Sequence, residues 1–271
     1  MKIIGINYLS ESSVCLLENG IIKYALSEER INRIKNWYGL PYDSISRLLK
    51  DTSNRLEDID YFTTCGLSAY KNDMPNKKSY DLKKQMIKKS NLKKQIKLRQ
   101  LNFLKKRYDH EDNVINIRTK EALVKLKNKF KNLIVYDHHT SHAASACYNS
   151  GFNNCYCLTI DGWGDNASSK IFKYDKGLIT EISSSSTIDS LGYFYGSITK
   201  LLGFKPHQHE GKILGLAAYG NYKLALKDMS KMISYNNKSK AFEAHYENGL
   251  YQANFNNLNL KFLKKKYSRE D

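Results

Sequence analysis

Two histidines and an aspartate are the side chains of this sequence best suited to share a metal ion. His138 and His142 stand four residues apart among small, helix-compatible residues, so a helix would place both imidazoles on one face. Asp161 ends an apolar run of strand type and precedes a glycine-rich turn at residues 162–164. Two imidazoles and a carboxylate are a common ligand set for a divalent first-row metal. A polar helix N-terminus and an ordinary turn aspartate would account for the same residues.

A second group of residues is suited to contact a nucleotide. Gly211 and Gly215 flank Lys212 in a segment of helical type, where they could bring backbone close to a ligand and add one cation. Glycines in helices also serve helix packing, and the Gly-Lys-Ser/Thr order of a Walker loop is missing. We expect the neighbouring His207 and His209 to be surface loop residues.

Three further features of the sequence predict an intracellular protein. The five cysteines are odd in number, and four lie in or beside apolar runs, which favours reduced thiols in the cytoplasm over a disulfide framework. Residues 1–7 are interpreted as a first strand rather than a signal peptide. No apolar run approaches the roughly 18 residues of a membrane span.

The formal charge of +17 is concentrated in one segment. Residues 77–107 contain thirteen Lys/Arg and one acid, with apolar residues at roughly helical spacing. Such a basic helix could meet RNA, a membrane surface or an acidic partner. A solvated helical excursion is favoured here, because arginines interleaved with aromatic residues for base stacking are missing.

The elements that must position these residues form a repeat. Strands are predicted over 2–7, 14–18 and 21–26, with an Asn19-Gly20 hairpin turn, and the pattern recurs over 155–161, 168–174 and 178–182. Asn7 then corresponds to Asp161. A helix at 44–50 and a strand at 59–62 follow the first meander. The repeat predicts a two-lobed fold of duplicated ribonuclease-H-like units, in which glycine and serine turns face a nucleotide.

Several motifs, taken together and in order, resemble the O-carbamoyltransferases of nodulation factors and of antibiotics such as cephamycins and tobramycin. They are His138-His139-x-x-His142, Asp161-Gly-x-Gly, Ser190-Leu191-Gly192, Gly203-Phe204-Lys205-Pro206 and Glu210-Gly211-Lys212-x-x-Gly215. The resemblance implies an α/β, two-lobed actin/hexokinase/Hsp70-like fold. Its N-terminal domain would be similar to that of the tRNA threonylcarbamoyladenosine synthesis enzyme.

The resemblance also implies domain boundaries. Residues 1–135 would form the first lobe, with the basic segment 77–107 as a helical insertion, and residues 136–271 would hold the metal-binding helix and part of an incomplete second lobe. A C-terminal YrdC-like domain, which makes carbamoyl-adenylate from carbamoyl phosphate and ATP, is expected to be absent from this chain. We therefore expect a truncated or split product, or one subunit of a two-chain enzyme.

The site residues follow from the same resemblance. His138, His142 and Asp161 would hold iron or another divalent metal. Gly162, Gly164, Gly211, Lys212 and Gly215 would hold ATP or carbamoyl-adenylate. Where the family usually has His-Asp in the first turn, this chain has Ser10-Glu11, which keeps a carboxylate at the candidate catalytic position.

The function implied is carbamoyl transfer to a hydroxyl of a small molecule or glycan, such as a sugar, an antibiotic or a polysaccharide. A separate chain with the YrdC-like domain would be a partner, and nucleic acid would not. Two alternatives remain: a tRNA-modifying threonylcarbamoyl transferase relative, and a non-catalytic nucleotide-binding remnant.

Overall fold

The structure is a computed structural model that describes residues 1–71, 76–111 and 116–251. The chain divides into two compact units. Among the described residues, the first unit comprises 1–71 and 116–141, and the second comprises 76–111 and 142–251.

The structure contains both strands and helices, so the predicted α/β class is confirmed. The strands are β1 Lys2–Asn7, β2 Ser13–Glu18, β3 Ile21–Ser27, β4 Tyr61–Cys65, β5 Leu133–Tyr136, β6 Asn154–Gly164, β7 Ala167–Asp175, β8 Leu178–Ser186, β9 Ile233–Asn236 and β10 Ala241–Ala244. The helices are α1 Glu29–Asn32, α2 Tyr42–Asp51, α3 Leu67–Lys71, α4 Lys77–Lys89, α5 Lys94–His110, α6 Asn116–Lys129, α7 His138–Asn149, α8 Leu191–Leu201, α9 Glu210–Ala217 and α10 Tyr222–Met229.

A mixed five-stranded sheet forms the centre of the first unit, in the order β3-β2-β1-β4-β5. Strands β1, β2 and β3 form an antiparallel meander, whereas β4 runs parallel to β1 and β5 parallel to β4. Asn19 and Gly20 both have positive φ, as a tight hairpin turn requires, so that prediction is confirmed. Alternate residues of β1 and β2, among them Ile4 and Leu16, are buried in one apolar core with Leu48 of α2.

The second unit contains the same three-stranded pattern. Its sheet has the order β6-β7-β8, all antiparallel, and the β7–β8 turn at Lys176-Gly177 again has two positive φ angles. Each meander also has an irregularity between its second and third strands, at residues 16–17 and at residues 171–172. The predicted repeat of strand, turn, strand, turn, strand is therefore present in both units.

One strand end differs from the sequence prediction. β6 does not end at Asp161 but continues to Gly164, and the turn to β7 is made by Asp165 and Asn166, both with positive φ. The ladder with β7 is irregular between Ile160 and Gly164, at the point where the apolar run that the prediction used comes to an end. Asp161 thus lies within a distorted part of a strand.

The basic segment is not a solvated excursion, because its helices contribute to the core of the second unit. Ile87 of α4 and Leu104 of α5 are fully buried together with Tyr246 and Tyr251. Lys83 is also buried, and its ammonium group lies 2.9 Å from Asp189. The predicted boundaries grouped residues 77–107 with the first lobe, whereas contacts group α4 and α5 with the second unit.

None of the helices in the described ranges has the length and apolar character needed to cross a membrane. None of the five cysteines, all of which lie in the described ranges, forms a disulfide bond.

Candidate metal centre

Helix α7 presents the two histidines of the candidate site. Asp137 precedes the helix and caps it, because its Oδ1 accepts hydrogen bonds from the Thr140 backbone N–H at 2.8 Å and the Thr140 hydroxyl at 2.9 Å. The helix continues without a break from His138 to Asn149. The division between the units falls after Ser141, inside this helix, so helix geometry alone fixes His138 relative to His142.

Two of the three predicted metal-binding side chains, His142 and Asp161, lie together in the second unit. His138 lies one helical turn before His142 on α7. His142 Nε2 is 3.6 Å from Asp161 Oδ2. His139, between the two histidines in the sequence motif, is instead fully buried. Two imidazoles one helical turn apart, with a carboxylate beside the second, fit a divalent first-row metal in donor type.

Electrostatics couple His142 to Asp161. Hydrogen bonding to the carboxylate, and secondarily its charge, raises the pKa of His142, while partial burial opposes this. Asp161 also accepts a hydrogen bond from the Gly162 N–H through Oδ1 at 2.6 Å, which helps to orient the carboxylate.

Ser190 ties the start of α8 to the strand that carries Asp161. Its hydroxyl donates to the Gly162 carbonyl at 2.7 Å and accepts from the Tyr193 backbone N–H at 3.0 Å. Ser190 is completely buried, and Tyr251 donates through its hydroxyl to the Ser190 carbonyl at 3.0 Å. A helix cap therefore holds the backbone next to a candidate metal ligand.

Gly192 permits this close approach. A Cβ at Gly192 would stand 2.4 Å from the Asp161 carbonyl oxygen and 2.7 Å from the Gly162 nitrogen, both backbone atoms that cannot swing aside. The sequence motif included Ser190 and Gly192 without a role for either. Their role depends on packing between elements almost thirty residues apart, which sequence spacing does not reveal.

A buried cluster of polar side chains packs against helix α8. The Arg107 guanidinium of α5 lies 3.7 Å from the centre of the Tyr193 ring and forms an ion pair with Glu111. Glu111 in turn accepts a hydrogen bond from Thr187. Burial raises the pKa of the Tyr193 hydroxyl. Sequence reasoning missed Arg107 and Tyr193, because their contact joins two distant helices.

The predicted nucleotide-binding residues fall into two places. Gly162 and Gly164 lie in the distorted end of β6, and the Gly162 backbone is the part held by Ser190. Gly211, Lys212 and Gly215 lie exposed on α9. A Cβ at either glycine of α9 would meet no atom within 4 Å. Packing among the described residues therefore does not require glycine at those two positions.

The candidate catalytic residues lie in the turn between β1 and β2 of the first unit. Ser10 and Glu11 are exposed, and Glu11 has a φ of 56°. The Asn7 side-chain amide donates to the Ser10 carbonyl at 3.0 Å and to the Glu11 carbonyl at 3.3 Å, which stabilises the turn. The catalytic role of both residues stays a prediction.

The match to a family model shows that the chain is a member of a carbamoyltransferase family. The family described as Carbamoyltransferase N-terminus matches residues 2–269, nearly the whole chain, so the chain belongs to it. The family resemblance drawn from the sequence motifs is thereby confirmed.

Two individual relatives show how much sequence the chain shares with single proteins. An uncharacterized protein of Methanocaldococcus jannaschii, MJ1051, is 29% identical over 217 residues, which cover 80% of this chain and 33% of the relative. Nodulation protein NolNO of Sinorhizobium fredii is 29% identical over 216 residues, which cover 79% of this chain and 28% of the relative. The chain thus spans about a third of the length of the curated relatives it matches.

Among solved structures, YeaZ from Pseudomonas aeruginosa has a TM-score of 0.36 and 11% sequence identity, covering 68% of this chain and 66% of that chain. A TM-score of this size does not establish a common fold.

Proposed function

We propose that this chain is the metal- and nucleotide-binding portion of an O-carbamoyltransferase. The observation that supports the proposal best is the 3.6 Å contact between His142 and Asp161, with His138 one turn earlier on the same helix, in a chain that belongs to the carbamoyltransferase N-terminal family. The reaction is transfer of a carbamoyl group from carbamoyl-adenylate to a hydroxyl of a small molecule or glycan. The hydroxyl oxygen forms the new bond to the carbamoyl carbon, the bond from that carbon to the phosphate oxygen breaks, and AMP leaves. Carbamoyl phosphate and ATP are the precursors of the adenylate.

His138 and His142 provide imidazole nitrogens and Asp161 provides carboxylate oxygen for iron or another divalent metal. Such a metal, when bound, supplies Lewis acidity toward a carbonyl or phosphoryl oxygen. The capped helix α7 orients the two imidazoles, and the bond from Ser190 to the Gly162 carbonyl holds the strand beside Asp161. These contacts orient the donors of α7 and the backbone beside Asp161 before any ligand arrives.

In this proposal the nucleotide binds to the backbone of residues 162–164 and to α9. Exposed Gly211 and Gly215 let a ligand approach the helix closely, and the Lys212 ammonium offers a charge to its phosphate. The Glu11 carboxylate takes the proton of the acceptor hydroxyl, and Ser10 positions the acceptor. The overall architecture proposed is the two-lobed actin/hexokinase/Hsp70-like fold, with a YrdC-like domain supplied outside this chain.

Metal binding by the purified chain tests the proposal directly. The His138→Ala and His142→Ala variants each remove one of three donors, so their affinity for Fe²⁺ or Co²⁺ should fall by more than about tenfold. Metal content after purification, measured by plasma mass spectrometry, and anaerobic Co²⁺ titration followed by absorbance both report the change.

His209→Ala is the matched control for that experiment. His209 lies outside the cluster, and its Nδ1 accepts a hydrogen bond from the Lys205 backbone N–H at 3.2 Å. This variant should retain wild-type metal content. Equal metal content in wild type and in both cluster variants would refute the metal assignment.

A further inference from the structure

Three of the five cysteines of this chain meet in the second unit. Cys155 and Cys157 alternate along β6, so their side chains lie on one face of the strand, while Tyr156 between them is exposed on the other. Cys147 lies near the end of α7 and is almost completely buried. Its thiol is in hydrogen-bonding contact with the thiols of both strand cysteines. A helix and a strand thus bring three sulfur atoms together.

Aromatic contacts hold the end of α7 against this face of the sheet. Cys155 is paired with Tyr174 of β7, so the two side chains lie on the same face. Tyr148 packs edge-on against the Tyr174 ring with ring centres 5.8 Å apart, and its hydroxyl donates to the Gly177 carbonyl at 3.0 Å. Because Tyr148 directly follows Cys147 in α7, these contacts keep Cys147 beside β6.

The three thiols differ in accessibility. Cys155 and Cys157 are partly exposed, whereas only 3% of Cys147 is exposed. A peroxide can therefore reach a strand thiol first, with the buried helix thiol next to it ready to resolve the product. Burial raises the pKa of the Cys147 and Cys155 thiols, so both are protonated at neutral pH and react slowly. Oxidation thus needs sustained exposure to the oxidant.

We propose that Cys147 forms a reversible disulfide bond with one of the two strand cysteines, Cys155 or Cys157, when the chain is exposed to hydrogen peroxide. The strand thiolate attacks one peroxide oxygen, the O–O bond breaks, one water leaves, and the strand sulfur becomes a sulfenic acid. The Cys147 sulfur then attacks the sulfenic acid sulfur, the S–O bond breaks, and a second water leaves. The two thiol protons leave in these waters. Two thiols are oxidised to one disulfide, and one peroxide is reduced to two waters.

The disulfide joins the helix that carries His142 to the strand that carries Asp161. Bonded sulfur atoms stand about 2.05 Å apart, closer than thiols in contact, so bond formation draws α7 toward β6. The consequence for metal binding rests on the proposed function, in which His142 and Asp161 are ligands. The oxidised chain should bind Co²⁺ about tenfold more weakly than the reduced chain, because the positions of the two ligands change.

Oxidation of the purified full chain tests the disulfide. The reduced chain is treated with hydrogen peroxide, blocked with N-ethylmaleimide and measured by intact mass spectrometry. The wild type should lose two hydrogen atoms, keep three of its five thiols for blocking, and regain the other two on reduction with a phosphine. Chymotrypsin cleaves after Tyr148, Phe152 and Tyr156, so the three cysteines of the cluster fall on separate peptides. The cross-linked peptides then identify the bonded pair.

Cysteine variants test the pairing itself. Cys147→Ala removes the sulfur common to both bonds, so this variant should form no intramolecular disulfide. Cys155→Ala and Cys157→Ala each leave one partner and should still form one, whereas the double variant should form none. Cys15→Ala is the matched control, because Cys15 lies on β2 of the first unit, and it should oxidise like the wild type. Circular dichroism checks that all variants fold.

The results that would overturn the proposal are distinct from those that bear on the metal. An intramolecular disulfide that persists in Cys147→Ala overturns it, as do five free thiols in the peroxide-treated wild type or a sulfinic acid without a cross-link. Unchanged Co²⁺ affinity in a chain with the mapped disulfide overturns the coupling to metal binding. A cross-linked chain that binds no Co²⁺ in either state would refute the metal assignment and still confirm the disulfide.

Discussion

At the scale of single residues, Gly192 occupies a position where no side chain fits. Any Cβ there would collide with the backbone of Asp161 and Gly162, so Gly192→Ala must push α8 and β6 apart. Overpacking of this kind costs about 1–3 kcal/mol. We expect the free energy of unfolding in urea to fall by that amount. Metal affinity should fall as well, because the displaced strand carries Asp161.

Gly211→Ala provides the control for this prediction. Its added methyl group would meet open space on α9, and alanine is favoured over glycine in a helix by about 0.5–1 kcal/mol. Stability should therefore stay the same or rise slightly, with unchanged metal content. Equal stability of Gly192→Ala and Gly211→Ala would contradict the close approach between α8 and β6.

At the same scale, the sequence predicts contacts within one helix but not contacts between distant elements. The spacing of His138 and His142 predicted a shared helix face, because helix geometry is local. The pairing of those histidines with Asp161 was predicted from their residue types and from the family resemblance. The structure places His142 Nε2 3.6 Å from Asp161 Oδ2, and the role of the three residues as metal ligands stays a prediction. Arg107 was hidden in a basic segment, since nothing near it in sequence indicates a contact with the Tyr193 ring.

At the scale of elements, α4 is the helix whose charges are easiest to misinterpret. The Lys83 ammonium group lies 2.9 Å from the Asp189 carboxylate and donates to the Ala244 carbonyl at 2.8 Å. Removing one member of a buried ion pair leaves the other charge uncompensated, which costs about 3–5 kcal/mol. Lys83→Met should therefore lower the free energy of unfolding by roughly this amount in urea denaturation.

Lys88→Met is the comparison variant in the same helix. Lys88 is exposed, so its replacement should change stability by less than about 0.5 kcal/mol. If Lys83→Met and Lys88→Met unfolded at the same urea concentration, the buried ion pair would not contribute to stability.

Strands and turns could be predicted from the sequence wherever neighbouring residues determine them. The Asn19-Gly20 and Lys176-Gly177 turns fixed both meanders, since each needs two residues with positive φ. The end of β6 was not predictable in the same way. Asp161 was predicted to end the strand because the apolar run stops there, but the ladder is only irregular at that point and the strand continues to Gly164. The packing of α4 and α5 in the second unit depends on long-range contacts, which charge and periodicity do not encode.

At the scale of the whole molecule, the charge of +17 is the property that bears on the choice between functions. The basic segment, residues 77–107, was the main argument for the tRNA-modifying alternative. Two of its cations, Lys83 and Arg107, are buried in ion pairs and so cannot contact phosphates without unfolding the second unit. Neutralising Lys83 would therefore confuse loss of RNA binding with loss of stability. Exposed Lys88 and Lys89 are the appropriate positions for the test.

We expect binding to tRNA to be a general effect of positive charge. Affinities for tRNA and for poly(U) should then be similar at 50 mM salt and should both fall by orders of magnitude at 200 mM, as counterion release requires (roughly 10³–10⁵-fold for 6–10 phosphate contacts). Fluorescence anisotropy with labelled tRNA and poly(U) measures both. Lys88→Gln/Lys89→Gln should weaken the two ligands equally. A preference for tRNA that persists at 200 mM salt, and that the double variant removes, would instead favour the tRNA-modifying function over carbamoyl transfer to a small molecule or glycan.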